Sequence, residues 1–111
     1  MRTRKYRESV VKELFAKSGN VCTFPGCNCT LYDGNDEEAE GHICHIVGLK
    51  LGSIRHDPDM TEEELNDYDN LILMCPKHHE EIDSDEKKYT VDVLKKMKKD
   101  HEAEIARKVA N

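Results

Sequence analysis

The sequence predicts a small α+β domain in which two short strands and a helix are held together by a bound metal ion, with a further helix at each end. Apolar residues recur at helical spacing near both ends, whereas the apolar runs in the middle have the length of strands. Cysteines and histidines flank the turns beside these runs. The 111 residues suffice for one domain, with an N-terminal helix in 1–20, a metal-stapled core in 21–85 and a basic helix in 86–111.

The first segment is a predicted helix from Thr3 to Ser18. Gly19 follows it, and a glycine just past the last turn is a common way for a helix to end. The apolar side chains recur every three or four residues, which forms the single apolar face of an amphipathic helix; they are Tyr6, Val10, Val11, Leu14 and Phe15.

The next segment supplies half of a predicted zinc site. Cys22 and Cys27 bracket the turn residues Pro25 and Gly26, and two sulfurs held across a tight turn can reach one tetrahedral ion. Cys29 is an alternative to Cys27, since the same loop places it within reach. We favour Cys27 because the Pro-Gly turn ends there.

The stretch from Asp69 to Asp83 supplies the other half. Its apolar run Leu71–Met74 is too short for a helix and predicts a buried strand, and Pro76 suits the first position of the following helix. Between them, Cys75 and His78 form a Cys-x-x-His knuckle that completes the four zinc ligands.

His79 directly follows the zinc ligand His78. Consecutive helical residues point about 100° apart, so His79 is expected to face a different cavity.

A second strand is predicted around Ile43, Ile46 and Val47, with His42, Cys44 and His45 within or beside it. Before it, Asp33–Glu40 is expected to be an exposed loop. After it, Gly48–Tyr68 is expected to be a long polar loop, a feature that is often functional. Its one ordered piece is a short helix begun by Thr61, with Glu64 at capping-box spacing.

The last helix is predicted to begin after Thr90, following a turn at Asp83–Lys88. One face is apolar, formed by Val91, Leu94, Met97, Ile105 and Val109. The other carries Lys95, Lys96, Lys98 and Lys99. Such a face is usually solvated surface, although lysines can also contact a phosphate backbone without regard to sequence.

Composition limits the class of protein. Charged residues make up 36% of the chain and hydrophobic residues 37%, with no Trp, so the core should be thin and a metal should help to hold it. Five cysteines, with no signal peptide or membrane-spanning segment, favour reduced, metal-binding thiols in a cytoplasmic protein over a disulfide framework. The net charge of −6 is unevenly distributed, because basic ends flank an acidic middle.

His45 at one strand, Asn70 before the next and His79 on the following helix occur in the order His, Asn, His. With the segments SGNVCTFPGC, CHIVG and LILMCPKHHEEID, this order resembles the HNH endonuclease family, whose ββα-metal (His-Me finger) fold joins two antiparallel strands and a helix around one divalent cation. The loop GSIRHDPDMTEEELNDYDN and the knuckle LILMCPKHHEEID are most similar to HNH domains of bacterial antiphage effectors. Such domains are often fused to a sensor domain.

The resemblance implies a metal-dependent DNA endonuclease with little sequence specificity. It makes His45 the general base, since an imidazole with an ordinary pKa near 6.5 can accept a proton at working pH. His79 would hold Mg²⁺ or Mn²⁺. Asn70 would either ligate this cation or steady the loop that carries the base, and Asp69 is a further candidate ligand. DNA, a sensor domain and a second copy of the chain are the expected partners.

The sequence departs from the family at Cys44, where many members carry Asp or His as a further cation ligand. A thiolate suits Mg²⁺ poorly, so we expect Cys44 to be a small buried hydrophobe. The missing ligand is then a water molecule or one of four side chains: Glu40, His42, Asp69 or Asn70. The competing hypothesis is a catalytically silent zinc module that binds nucleic acid or protein.

Overall fold

The computed structural model describes residues 6–32, 41–49 and 52–110. The start of the predicted first helix and the loop Asp33–Glu40 lie outside this part of the chain. In order, the elements are α1 Glu8–Ser18, β1 His42–His45, α2 Glu62–Leu65, β2 Leu71–Met74, α3 Pro76–Ser84 and α4 Val91–Val109. This order confirms a small α+β fold in which two strands precede a helix.

The two strands pair in antiparallel fashion, with His42 opposite Met74 and His45 opposite Leu71. All four residues of β2 are buried, which confirms the strand predicted there. β1 ends earlier than predicted, at His45. The main-chain N–H of Ile46 still donates to the carbonyl of Asn70, but that of Val47 donates to the Asn70 side chain, so the chain leaves the ladder after Ile46.

The core forms where β2 meets α1 and the other helices. Val10 and Leu14 of α1 are buried, as the helical spacing predicted. The predicted helix starts are also confirmed. Thr61 and Glu64 form a complete capping box on α2, Pro76 lies in the first turn of α3, and the Thr90 side chain accepts from Val93 N–H at the start of α4.

α4 packs across the end of α1. Nε2 of His101 lies 2.8 Å from the Ser18 carbonyl, and because a carbonyl only accepts, the imidazole donates. Gly19 has a φ of +67°, and a Cβ there would lie 2.8 Å from Cδ1 of Ile105, so glycine is required by both conformation and packing. The apolar face of α4 does not extend to its end, because Val109 is 77% exposed.

Lys98 is not on the solvated face of α4, and the prediction that it contacts a phosphate backbone is wrong. Its Nζ donates to the Leu71 carbonyl at 2.7 Å and lies 3.3 Å from a carboxylate oxygen of Glu102. Nζ also lies 3.7 Å from the ring centroid of Tyr68. The carbonyl of a buried strand needs a donor, and the long lysine side chain supplies one.

The remaining predicted lysines, Lys95, Lys96 and Lys99, are exposed. Lys96 pairs with Asp100 at 2.8 Å. No helix in the described ranges is both long and apolar enough to cross a membrane.

Candidate metal and catalytic sites

Four residues predicted as zinc ligands lie together, and we call them the sulfur cluster: Cys22, Cys27, Cys75 and His78. Their ligand atoms all lie within 4.8 Å of one another. Nδ1 of His78 is 3.3 Å from Sγ of Cys75 and 3.8 Å from Sγ of Cys22. Cys29 is outside the cluster, and its Sγ contacts the Thr30 carbonyl. The geometry therefore favours Cys27 over Cys29.

Main-chain hydrogen bonds bring the two halves of the sulfur cluster together. The N–H of Cys22 donates to the Cys29 carbonyl, which closes the turn, and the N–H of Thr23 donates to the Leu73 carbonyl of β2. The N–H of Cys75 in turn lies 3.3 Å from Sγ of Cys22. The turn is thus fixed to the end of β2, from which the Cys-x-x-His knuckle follows.

The sulfur cluster is closed to solvent on several sides. Cys22 is fully buried, and burial raises the pKa of its thiol to about 12. Burial acts on Cys75 too, but hydrogen bonds that include the N–H groups of His78 and Lys77 hold the pKa of that thiol below its ordinary value. The Phe24 ring stacks on the His78 imidazole, with centroids 4.0 Å apart. Three sulfurs and one imidazole are the donor set of a closed, structural zinc site.

A separate cavity of about 630 Å³ opens between β1, α3 and the loop that follows β1. We call it the imidazole cavity. Its lining includes His45, Arg55, His79, Asp83 and Glu86. The first and last histidines of the His, Asn, His series therefore face one space, which is large enough for a phosphate group and water.

His79 is held between two partners. Its Nε2 lies 3.1 Å from a carboxylate oxygen of Asp83, one helical turn further along α3, and its Nδ1 lies 2.9 Å from Nδ1 of His42. Because a carboxylate accepts, Nε2 carries the proton and Nδ1 of His79 presents its lone pair toward His42. Burial, and then the neighbouring His79, lower the pKa of His42.

Arg55 fixes the carboxylate behind His79. Its side chain is 2% exposed, and it donates to Asp83 at 2.7 Å and to the carbonyls of Ile82 and Tyr89. The hydrogen bond from His79, and then that from Arg55, hold the pKa of Asp83 below its ordinary value. Asp83 is therefore an anion that orients His79, which is how metal-binding histidines are usually held.

Asn70 is buried, and its amide is committed to the main chain. Its Oδ1 accepts from Val47 N–H at 2.8 Å, and its Nδ2 donates to the carbonyls of Val47 and Leu65. Of the two roles considered, this geometry matches the steadying of the loop after β1. The contacts of the Asn70 amide therefore support the steadying role and give no support to cation binding.

Asp69 does not line the imidazole cavity. Its charge instead acts on Lys17, Tyr68 and Lys98, which lie where α1 meets α4. These contacts give no support to Asp69 as a ligand for the cation beside His79. The 3₁₀ turn Tyr68–Asn70 separates two neighbouring side chains that the sequence could only place together.

Cys44 is 2% exposed, and burial raises the pKa of its thiol. Its Sγ donates to the His42 carbonyl. A neutral, buried thiol is a poor cation ligand, which supports the interpretation of Cys44 as a small hydrophobe.

His45, by contrast, is only partly buried. Its Nε2 lies 2.9 Å from Oδ1 of Asn66, and its ring centroid is 6.0 Å from that of Tyr6.

Two residues that orient His79, Asp83 and Arg55, were not predicted from the sequence. Asp83 stands four positions after His79, and this spacing on a helix could have indicated the pair. Arg55 carries no such signal, because it lies in a polar loop far from α3 in the sequence. His42 was one of several open alternatives for the missing ligand, and only the contact with His79 distinguishes it.

The HNH endonuclease family model matches residues 22–85, which is more than half of the chain. The matched stretch contains the whole sulfur cluster, both paired strands and α3. This chain therefore belongs to the HNH endonuclease family, and a two-stranded antiparallel sheet followed by a helix is consistent with the ββα core expected of it. No curated protein matches the chain.

Proposed function

We propose that the protein is a metal-dependent DNA endonuclease that hydrolyses phosphodiester bonds with little sequence specificity. One observation carries the proposal: His45 and His79 line the same cavity inside the stretch matched by the family. A general base and a cation ligand must both reach one scissile phosphate. Side chains that open into a shared space satisfy this requirement.

His45 acts as the general base. With Nε2 donating to Asn66, Nδ1 is the nitrogen that accepts a proton. It takes that proton from a water molecule, the water oxygen forms the new bond to phosphorus, and the bond to the 3′ oxygen breaks. A second proton, from solvent, neutralises the departing oxygen. Asn70 supports this chemistry indirectly, since it fixes Val47, two residues after the base.

His42 and His79 hold the catalytic cation. Their Nδ1 atoms are 2.9 Å apart, so both nitrogens would be available to one ion once the proton shared between them has left. His42 thus takes the place of the ligand that Cys44 cannot supply. When bound, the cation acts as a Lewis acid on the phosphate and the departing oxygen. Two imidazole donors suit Mg²⁺ poorly, because Mg²⁺ is a hard cation that prefers oxygen ligands, so we propose Mn²⁺ ahead of Mg²⁺.

Zinc in the sulfur cluster has a structural role. Four protein ligands close a tetrahedral site and leave no position for water or substrate, so this ion is not the one at which hydrolysis occurs.

DNA binding by this domain is weak and directed at phosphates. Lys95, Lys96 and Lys99 are exposed on α4 and are the proposed backbone contacts, whereas residues 21–85 carry three basic against sixteen acidic residues. A weak binder cleaves efficiently when a partner raises its local concentration. We therefore propose a fused or associated sensor domain, or self-association, and a role as a cytoplasmic effector in bacterial defence.

A plasmid-nicking assay tests the proposal. Zinc-loaded protein is incubated with supercoiled DNA and either Mn²⁺ or Mg²⁺, and we expect nicking that depends on the added cation and is lost in His45→Ala. His101→Gln is the matched control, since it alters a histidine outside both sites and keeps a donor for Ser18. Folded, zinc-loaded protein that never nicks DNA would overturn the proposal in favour of a silent zinc-binding interaction module.

A further inference from the structure

Asn66 contacts the proposed base directly. Its Oδ1 lies 2.9 Å from Nε2 of His45, across a sequence separation of 21 residues. An amide oxygen can only accept a hydrogen bond, so this contact requires the proton of the neutral ring to be on Nε2. Nδ1 is then the nitrogen with the lone pair.

The position of Asn66 is set by α2, the short helix in the described part of the polar loop. The capping box of Thr61 and Glu64 begins this helix, and Leu65 is buried at its end. The main-chain N–H of Asn66 donates to the Glu62 carbonyl, and that of Asp67 donates to the Glu64 carbonyl, which closes the helix. The helix thus ends without using the Asn66 side chain, which remains directed at His45.

Asn70 links this helix to the strand that carries the base. Its Nδ2 donates to the Leu65 carbonyl, one residue before Asn66, and its Oδ1 accepts from Val47, two residues after His45. One buried amide therefore fixes both sides of the contact between His45 and Asn66. The long loop between the strands thus places the Asn66 side chain against His45.

We propose that Asn66 is a positioning residue that fixes the tautomer and ring orientation of His45. The inference rests on the proposed function only in calling His45 the base, since the contact itself is independent of activity. The competing explanation is that Asn66 merely ends α2. That role belongs to its main chain, and it would not change the protonation of His45.

Nitrogen-15 NMR of the imidazole rings tests the proposal without any substrate. In the zinc-loaded protein above the pKa of His45, we expect the His45 ring to be protonated at Nε2 alone. In Asn66→Ala the two nitrogen shifts should move toward each other as both tautomers become populated. In Asn66→Asp, which keeps an oxygen acceptor, the ring should again be protonated at Nε2. Unchanged His45 shifts in Asn66→Ala would overturn the proposal.

Nicking kinetics provide the second measurement. Removal of a partner that orients a functional histidine typically lowers activity about 10- to 100-fold. We expect a loss of this size in kcat for Asn66→Ala, with a smaller change in KM because the Asn66 side chain contacts His45, and partial recovery in Asn66→Asp. Equal losses in both variants would contradict the proposal.

The nicking assay and the NMR measurement together distinguish failure of the proposed function from failure of the positioning role. If the wild type does not nick DNA but the tautomer responds to Asn66→Ala, the nuclease proposal fails and the positioning role survives. If the wild type nicks DNA but the tautomer is insensitive to the substitution, the nuclease proposal survives and the positioning role fails.

Discussion

The sulfur cluster and the imidazole cavity share helix α3, yet they differ in burial and in what their side chains already contact. Cys22 and Cys75 are buried, and Phe24 covers the ring of His78. In the imidazole cavity, His45 is partly buried and the His79 side chain is 33% exposed. A site that stabilises the fold gains from excluding water, whereas a site that hydrolyses a bond must admit both water and substrate.

The largest expected effect comes from removing zinc. Structural zinc contributes apparent binding energies of about 10–16 kcal/mol in finger peptides, against a typical total domain stability of about 5–15 kcal/mol. Chelation or Cys75→Ala should therefore unfold the protein, as measured by circular dichroism and zinc content. Cys29→Ser, the matched control, should retain one zinc ion per chain. A folded Cys75→Ala protein would show that the core does not need this site.

The next effect separates the two sites. His45→Ala should lower the nicking rate by about 10²- to 10⁴-fold, the usual contribution of a general base. Zinc content and Tm should be unchanged, because His45 is not in the sulfur cluster. Loss of zinc in this variant would show that the two sites are not independent.

Arg55 tests whether packing also holds the imidazole cavity. Arg55→Met removes the donors to two main-chain carbonyls and to Asp83. Hydrogen bonds from charged groups contribute about 1.5–3 kcal/mol each, and the two bonds to main-chain carbonyls are buried, so a loss of at least about 3 kcal/mol in the free energy of unfolding is expected from urea titration. Arg7→Met, which removes an exposed pair with Asp67, should cost less than about 1 kcal/mol.

Asp83→Asn should weaken binding of the catalytic cation without changing the zinc content. Loss of the carboxylate behind a metal-binding histidine typically costs about 10- to 100-fold in affinity, and we expect this reduction in calorimetric Mn²⁺ binding to the zinc-loaded protein. Glu80→Gln, an exposed change on the same helix, is the control. Equal Mn²⁺ affinity in both variants would rule out the orienting role of Asp83.

The smallest effects concern DNA affinity. Each phosphate contact contributes about 0.9 to the slope of log affinity against log salt concentration. Replacing Lys95, Lys96 and Lys99 together by Ala should therefore reduce the slope by up to about three, as measured by fluorescence anisotropy. An unchanged slope would show that these three lysines do not contact DNA. Lys98→Met should leave the slope unchanged and lower Tm, because Lys98 is buried.

Local patterns predicted much of the fold. The capping box at Thr61, the helix start at Thr90 and the strand Leu71–Met74 all occur as expected, because each depends on residues close together in the chain. The end of β1 and the burial of Lys98 were mispredicted. Both depend on hydrogen bonds to residues more than twenty positions away, such as Asn70 and Leu71.

The sequence by itself indicated three donors of the sulfur cluster, Cys22, Cys75 and His78, because the cysteine-containing turn and the Cys-x-x-His knuckle carry their own spacing, whereas the structure favours Cys27 over Cys29 as the fourth. It also determined that His78 and His79 diverge, since helical geometry separates neighbours. Only the tertiary structure decided that His42, rather than Asn70 or Asp69, contacts His79. It also decided that Asn66 contacts His45 and that Arg55 holds the carboxylate that binds His79. These choices depend on which segments pack against α3 and β1, and long-range packing leaves no periodic signal in a single sequence.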